Sequence, residues 1–292
     1  IMASCDIQPD KIQAIGSHGQ TVRHAPGDAI PYTLQIGNAA QIVERTGIQT
    51  VSDFRQRDLA AGGQGAPLAP LFHHHLFAES GKNIVGLNLG GIANISVLHA
   101  DGKIGGFDTG PANTLMDQWI QRHKGQRYDQ DANWALSGDV NDTLLDKLLS
   151  EPWLSQPPPN STGPELFNLQ WQDNFLAGQE IAAEDVQRTL CEYSAATVAN
   201  AINTEIPGCD RVVVCGGCAY NPLLMERINH YLDGCELDAS ASYGIAPPWI
   251  EAAMFAWFAW RTLNGLPSNV PAVTGASHKA VLGAIHPTSQ QH

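Results

Sequence analysis

A chain of 292 residues with 43% hydrophobic and 15% charged residues reads as a globular protein of one large or two medium domains with a substantial core. Its formal net charge of -13, with no Lys/Arg cluster, argues against nucleic acid or an anionic membrane as partner, so any phosphate site must rely on backbone amides and a metal ion. No apolar run approaches the ~20 residues of a membrane-spanning helix, no signal peptide is recognisable, and six scattered cysteines fit reduced thiols in a cytoplasm.

In chain order, Lys11 to Ile15 reads as a strand entering the turn Gly16-Ser17-His18-Gly19. Thr33 to Ile36 is a second strand, Ala39 to Thr46 a helix stopped by Gly47, and Ile48 to Phe54 a third strand. The loop Arg55-Gln56-Arg57-Asp58 and the run Gly62-Gly63-Gln64-Gly65-Ala66-Pro67 follow, before a helix from Leu68 to Phe77. A second block opens near Asn83 with strands at Ile84 to Leu89, Ile92 to Leu98 and Lys103 to Phe107, then a helix from Thr114 to His123. Ser155 to Phe167, with three consecutive prolines, reads as a surface loop. A long amphipathic helix runs from Ala183 to Ile202, a buried strand from Arg211 to Val214, a helix begins at Asn221, and Ile250 to Leu263 reads as a buried helix. Three antiparallel strands, a helix and then strand–helix alternation suit a ribonuclease-H-like half-domain. The expected division is 1–82 and 83–292.

Three glycine motifs carry the chemistry. In Leu87-Asn88-Leu89-Gly90-Gly91-Ile92-Ala93-Asn94, two glycines between apolar strands let backbone N–H groups approach a ligand, and Asn94 adds a side-chain donor; the competing reading is a plain hairpin turn. In Gly105-Gly106-Phe107-Asp108-Thr109-Gly110-Pro111-Ala112-Asn113, a carboxylate stands at a strand end just before a helix. There Asp108 is expected to stay ionised and to orient a water or a magnesium ion, or else merely to cap the helix. In Val212-Val213-Val214-Cys215-Gly216-Gly217-Cys218-Ala219-Tyr220-Asn221, a buried strand delivers a Gly-Gly turn to a helix, which suits packing of an adenine and ribose. Cys215 and Cys218 lack a second ligand pair for zinc, and adjacent histidines at His73-His74-His75 point in different directions on a helix, so neither reads as a metal or redox site.

In order and spacing these motifs resemble the second phosphate loop, catalytic strand and adenosine loop of actin-like ATPases. Ile15-Gly16-Ser17-His18-Gly19-Gln20-Thr21, Gln35-Ile36-Gly37-Asn38, Asp53-Phe54-Arg55-Gln56-Arg57-Asp58, Gly62 to Pro67, Phe107 to Pro111 and Tyr243-Gly244-Ile245-Ala246-Pro247-Pro248-Trp249-Ile250-Glu251 resemble the anhydro-N-acetylmuramic acid kinase family closely, from about Gln13 onward. The resemblance implies an α/β actin-like fold of two ribonuclease-H-like domains with mixed sheets flanked by helices. It also implies an ATP- and magnesium-dependent sugar kinase of peptidoglycan recycling, forming a homodimer. By that likeness Asp108 is the general base, of ordinary basicity. Glu251 would hold sugar hydroxyls or amide, His18 and Arg57 would contact sugar or carboxylate, and Gly90, Gly91, Asn94, Gly216, Gly217 and Asn221 would bind nucleotide.

Three departures from the family pattern stand out. Family members open with a glycine-rich phosphate loop that has no counterpart after Ile1, so the first domain is expected to be incomplete and ATP turnover impaired. Asn160 and Pro164 flank Ser161-Thr162-Gly163 where basic residues are usual, and Ala112 stands where Gly is common. The alternatives are a non-catalytic sugar- or nucleotide-binding fragment, and a glycoside hydrolase using Asp108 and Glu251 as its carboxylate pair.

Overall fold

The computed structural model describes residues 5–158 and 161–288. In chain order the elements are β1 (Ile15–Ser17), β2 (Gln20–Ala25), β3 (Tyr32–Ile36), α1 (Ala39–Thr46), β4 (Thr50–Ser52), α2 (Gln56–Ala60), α3 (Ala69–Phe77), β5 (Ile84–Leu89), β6 (Ile92–Leu98), β7 (Ile104–Pro111), α4 (Thr114–Lys124), α5 (Asp142–Leu149), α6 (Leu169–Leu176), α7 (Ala183–Glu205), β8 (Arg211–Cys215), α8 (Pro222–Tyr231), β9 (Glu236–Ala239), α9 (Ile250–Leu263), α10 (Pro271–Thr274) and β10 (Ala284–His286), with short 3-10 turns between. They form two compact units, Ile1–His75 with Glu251–His292, and Leu76–Ile250.

In the second unit the sheet order is β7-β6-β5-β8-β9. β5, β6 and β7 run antiparallel, while β8 and β9 add in parallel to β5, as a ribonuclease-H-like half requires. β5 and β8 sit in the middle and are apolar on both faces; Ile84, Val85, Leu87, Val212, Val213 and Val214 are all fully buried. Helix α7 packs against α5, α8 and β7, and its Val186, Leu190, Tyr193 and Val198 enter the same core. Asparagines cap three helices of this unit: Asn141, Asn168 and Asn221 each accept the backbone N–H three residues on.

The first unit holds a three-stranded sheet, β1-β4-β10, and a separate β2–β3 hairpin. β4 is central, parallel to β1 and antiparallel to β10. The chain divides at Leu76, and the stretch from Glu251 belongs to the first unit. The reason is pairing: β10 completes the sheet on β4, and Phe255 and Phe258 of α9 pack on Phe54. Asp58 locks this closure. Fully buried, its carboxylate accepts from Gly65 N at 2.7 Å, Asn269 Nδ2 at 2.7 Å and Thr274 Oγ1 at 2.8 Å. A Cβ at Gly63 would come within 2.3 Å of Asp58 Oδ2, so this glycine is demanded by the close approach of that carboxylate.

Local differences from expectation have simple causes. Lys11 to Ile15 is not a strand; Pro9 opens a 3-10 turn through Lys11, and pairing begins only at Ile15. Arg55 to Asp58 is not loop throughout, because α2 starts at Gln56. β7 extends to Pro111, four residues past Phe107. Pro159 and Asn160 of the expected surface loop lie outside the described residues.

Candidate functional site

The two glycine turns of the second unit are neighbours. β5 and β8 are adjacent and parallel, so their C-terminal ends deliver Gly90-Gly91 and Gly216-Gly217 to the same edge of the sheet. Gly216 has φ +87, and a Cβ there would lie 2.5 Å from the Leu89 carbonyl oxygen, so the two turns touch only because this residue is glycine. The Cys218 thiol lies 3.6 Å from the Gly90 carbonyl oxygen. By contrast, a Cβ at Gly217 would meet nothing within 4 Å, and those at Gly90 and Gly91 only ordinary contacts. The protein itself does not need glycine at these three positions, which leaves open backbone for a ligand. The carbonyls of Gly90 and Gly91 accept from Asn113, Ala112 and Thr114, fixing the turn to the start of α4.

A cavity of about 360 Å³ opens beside these turns, lined by Asn113, Asp117, Tyr128, Asp131, Gly217 and Asn221 among others. Tyr128 and Tyr220, both exposed, offer aromatic faces at its walls. Burial, and then the charge of Asp129, push the Asp117 carboxyl up to about 6. Asp129 itself is committed to the Trp134 and Ala135 amides. Asn221 spends its side-chain oxygen capping α8, accepting from Leu224 N at 2.9 Å, and keeps its amide hydrogens for the cavity. Asn94 is not at the turn. It lies inside β6, opposite Asp108 of β7.

Asp108 is inside the strand, six residues before α4, and so cannot be that helix's cap. Its Oδ2 accepts from the Thr162 amide at 2.9 Å, which fixes the carboxylate. Its basicity is not ordinary: burial pushes the carboxyl up to about 6, the Thr162 N–H opposes this, and the charge of Glu165 adds to it. Asp108 also lines a second cavity, of about 250 Å³, with Trp153, Gln156, Thr197, Asn200 and Glu205. A carboxylate poised near neutrality and held by one hydrogen bond is suited to accept a proton.

Cys215 and Cys218 are buried, with thiols pushed up to about 12 by desolvation, so both remain protonated and unreactive. His73 is buried and held neutral, lowered to about 4, while His75 stacks on Trp257. Among the described residues no cluster of three or more His, Cys, Asp or Glu could hold a metal ion.

In the first unit, a polar cavity of about 230 Å³ is lined by His18, Thr33, Gln35, Ser52, Asp53 and Gln56, among others. Both ring nitrogens of His18 are already engaged. Nε2 accepts from Arg55 Nε at 2.9 Å, so Nδ1 carries the proton and donates to the Gly19 carbonyl at 2.8 Å. Burial and the neighbouring Arg55 keep this imidazole neutral. Arg57 is exposed. Glu251 is exposed in the first turn of α9, near enough to act electrostatically on Arg55. Arg55, which sequence reasoning did not single out, stands two positions from Arg57 and donates to His18 and to the Gly65 carbonyl. Asp117 and Tyr128 of the cavity were not singled out either, their only signal being an acidic, aromatic stretch around the Gly125 stop of α4.

Comparison with known proteins gives the family. A model of anhydro-N-acetylmuramic acid kinase matches residues 1–288. The anhydro-N-acetylmuramic acid kinase of Xylella fastidiosa is 49% identical over 287 residues, covering 98% of this chain and 75% of that protein. That of Vibrio vulnificus is 49% identical, covering 98% and 78%, and that of Photobacterium profundum 48% identical, covering 99% and 79%. Among solved structures, an activator of 2-hydroxyisocaproyl-CoA dehydratase from Clostridium difficile with bound ADPNP aligns over 74% of this chain and 68% of that one. Its identity is 13% and its TM-score 0.37. With a family model over nearly its whole length and relatives at almost half identity, the chain belongs to the anhydro-N-acetylmuramic acid kinase family.

Proposed function

We propose that this kinase uses ATP and water to open the 1,6-anhydro bridge of anhydro-N-acetylmuramic acid and phosphorylate O6. The observation that carries the mechanism is Asp108, half-buried, fixed by the Thr162 amide and poised near pH 6. Asp108 accepts a proton from the water whose oxygen bonds to C1. The C1–O6 bond breaks, and O6 takes the γ-phosphoryl group, releasing ADP. The carboxylate then returns its proton to solvent. A base of this strength is ionised at neutral pH yet accepts a proton readily.

The open backbone at Gly90, Gly91 and Gly217 supports nucleotide binding, with the purine and ribose in the cavity bounded by Tyr128, Asp117 and Asn221. Bound Mg²⁺ would supply charge neutralisation of the phosphates. Glu251 and Arg57 are assigned to the sugar. The glycoside hydrolase alternative gains no support from a unit with an open nucleotide-type cleft.

We further assign the enzyme to the cytoplasm, to peptidoglycan recycling and to a homodimeric state. The cysteines among the described residues form no disulfide and all but Cys5 are buried, in agreement with a reducing compartment. No helix of the described residues is long and apolar enough to cross a membrane. The deciding experiment incubates the protein with ATP, Mg²⁺ and the anhydro-sugar in ¹⁸O-water. Label at C1 of a 6-phosphorylated product, with equimolar ADP, is expected; ADP release without sugar phosphate refutes the assignment.

A further inference from the structure

Two cysteines meet at the starting edge of the second unit's sheet. Cys209 lies two residues before β8 and Cys235 directly before β9, and these strands run parallel with Arg211 opposite Glu236. Backbone hydrogen bonds fix both positions. The Cys209 N–H donates to the Ile206 carbonyl at 3.0 Å, and the Glu236 N–H donates to the Asp210 carbonyl at 3.1 Å. Both side chains enter the same core as Val212, Val214 and Leu232, and the two thiols hydrogen-bond with each other across the strand gap. Neighbouring strands stand ~4.8 Å apart, inside the Cα separation of roughly 4.4–6.8 Å that a disulfide spans.

Other buried cysteines of this unit differ in both access and chemistry. Cys191 and Cys215 are 0% exposed, whereas Cys209 and Cys235 keep 9% and 8%, so a water-sized oxidant can reach their sulfurs. Desolvation pushes the thiols of Cys191, Cys215 and Cys218 up to about 12. In Cys235 the hydrogen bond from Cys209 outweighs burial and the charges of Asp210 and Glu236, and holds the thiol below its ordinary value. The same bond, with burial, holds Cys209 above its own. One sulfur is thus the readier nucleophile, and a second stands in contact with it.

We propose that Cys209 and Cys235 form a reversible dithiol–disulfide pair, oxidised by peroxide and reduced by a small dithiol, which cross-links the starts of β8 and β9. The Cys235 thiolate attacks one oxygen of hydrogen peroxide, the O–O bond breaks, and the departing hydroxide takes up a proton as water. Cys209, giving up its proton, then attacks the sulfenic sulfur of Cys235. The S–S bond forms and the second oxygen leaves as water, so two thiols and one peroxide give one disulfide and two waters. A dithiol reverses the bond by exchange and is itself oxidised. The closed loop contains β8, the Gly216-Gly217 turn and α8, so oxidation ties down the segment that carries this turn. A transient bond of this kind is compatible with a compartment that otherwise keeps thiols reduced.

The test treats the reduced chain, in its folded state, with hydrogen peroxide, alkylates the remaining thiols after unfolding, and maps linked peptides by tandem mass spectrometry. Free thiols are expected to fall by two per chain, with Cys209 joined to Cys235, and dithiothreitol should restore both. Cys209→Ser should abolish the bond and leave Cys235 as a sulfenic acid that dimedone traps. Cys235→Ser should leave Cys209 unmodified at the same dose. A bond joining any other pair of cysteines overturns the proposal, as do links formed only between chains. So do Cys209 and Cys235 thiols that survive in the folded protein at a peroxide dose that oxidises the unfolded one. The wild-type map decides the matter even where a serine variant fails to fold.

Discussion

Replacing Asp108 by Asn should cost activity and add stability, in amounts the site's geometry fixes. Burial raises the Asp108 carboxyl from 3.8 to about 6 in the folded protein. A shift of roughly two units, at ~1.4 kcal/mol per unit, means that ionising Asp108 destabilises the fold by about 3 kcal/mol. The folded pKa is the higher one, so the stability that goes with a neutral Asp108 is fully present below about 4 and is lost as pH rises through about 6. Asn cannot ionise, yet keeps an oxygen for the Thr162 amide. The variant should therefore match wild type in stability near pH 4 and exceed it by about 2–3 kcal/mol at pH 7.5, which is roughly 5–10 °C in Tm for a unit of this size. Turnover should fall at least ~10²-fold, as for loss of a general base. Denaturant unfolding of both proteins from pH 4 to pH 8, beside a coupled ADP assay, measures both quantities. A stability difference that is flat across this range, or an Asn variant no more stable than wild type at pH 7.5, would show that Asp108 is not held by burial in a costly ionised state. Near-normal turnover would remove it from the mechanism.

Asp117→Asn should raise KM for ATP about 10-fold and abolish any inflection of that KM near pH 6, because the carboxyl titrates there and accepts best when ionised; an unchanged KM profile excludes it from the nucleotide site. Gly216→Ala should weaken nucleotide binding measured by calorimetry and lower Tm, since its Cβ would lie 2.5 Å from the Leu89 oxygen, whereas Gly217→Ala should spare Tm while still weakening binding. Asp58→Ala should destabilise the first unit by about 3–5 kcal/mol, leaving three donors unpaired, with denaturant midpoint as the readout; a loss under about 1 kcal/mol would mean those donors find other partners.

The middle of the second unit's sheet was legible because β8 carries the β-branched run Val212-Val213-Val214 and β5 is mostly apolar, with glycines at Gly216 and Gly90 after them. β2 gave no such signal. Gln20 to Ala25 is largely polar and exposed, and is held only by its hairpin partner β3. β10 is three residues long and becomes a strand solely through β4, more than 200 positions away, which no local pattern encodes. The same holds for the site. The glycine turns and Asp108 announce themselves by spacing, but which of Arg55 and Arg57 is turned inward depends on where α2 begins, one residue after Arg55. The commitment of His18 Nε2 likewise follows from a partner 37 positions distant. The raised pKa of Asp108 comes from burial and from Glu165, against the opposing Thr162 N–H, and both of these residues approach from a segment over 50 residues downstream.

The interleaving of the two units has a consequence for biosynthesis. Leu76–Ile250 is continuous, and its five strands and covering helices are all available once that stretch has left the ribosome. The first unit must wait. Its β4 lacks an edge partner, and Asp58 lacks Asn269 and Thr274, until the segment from Asn269 to His286 emerges. At ~5–20 residues per second, the interval between making Asp58 and making His286 is roughly 10–45 s. Throughout it a hairpin and a two-stranded parallel pair stand with an open edge and a carboxylate short of two partners. The nascent chain thus carries a finished nucleotide-type unit beside an unfinished one, and it is the early-made segment, not the late one, that most needs a chaperone's cover.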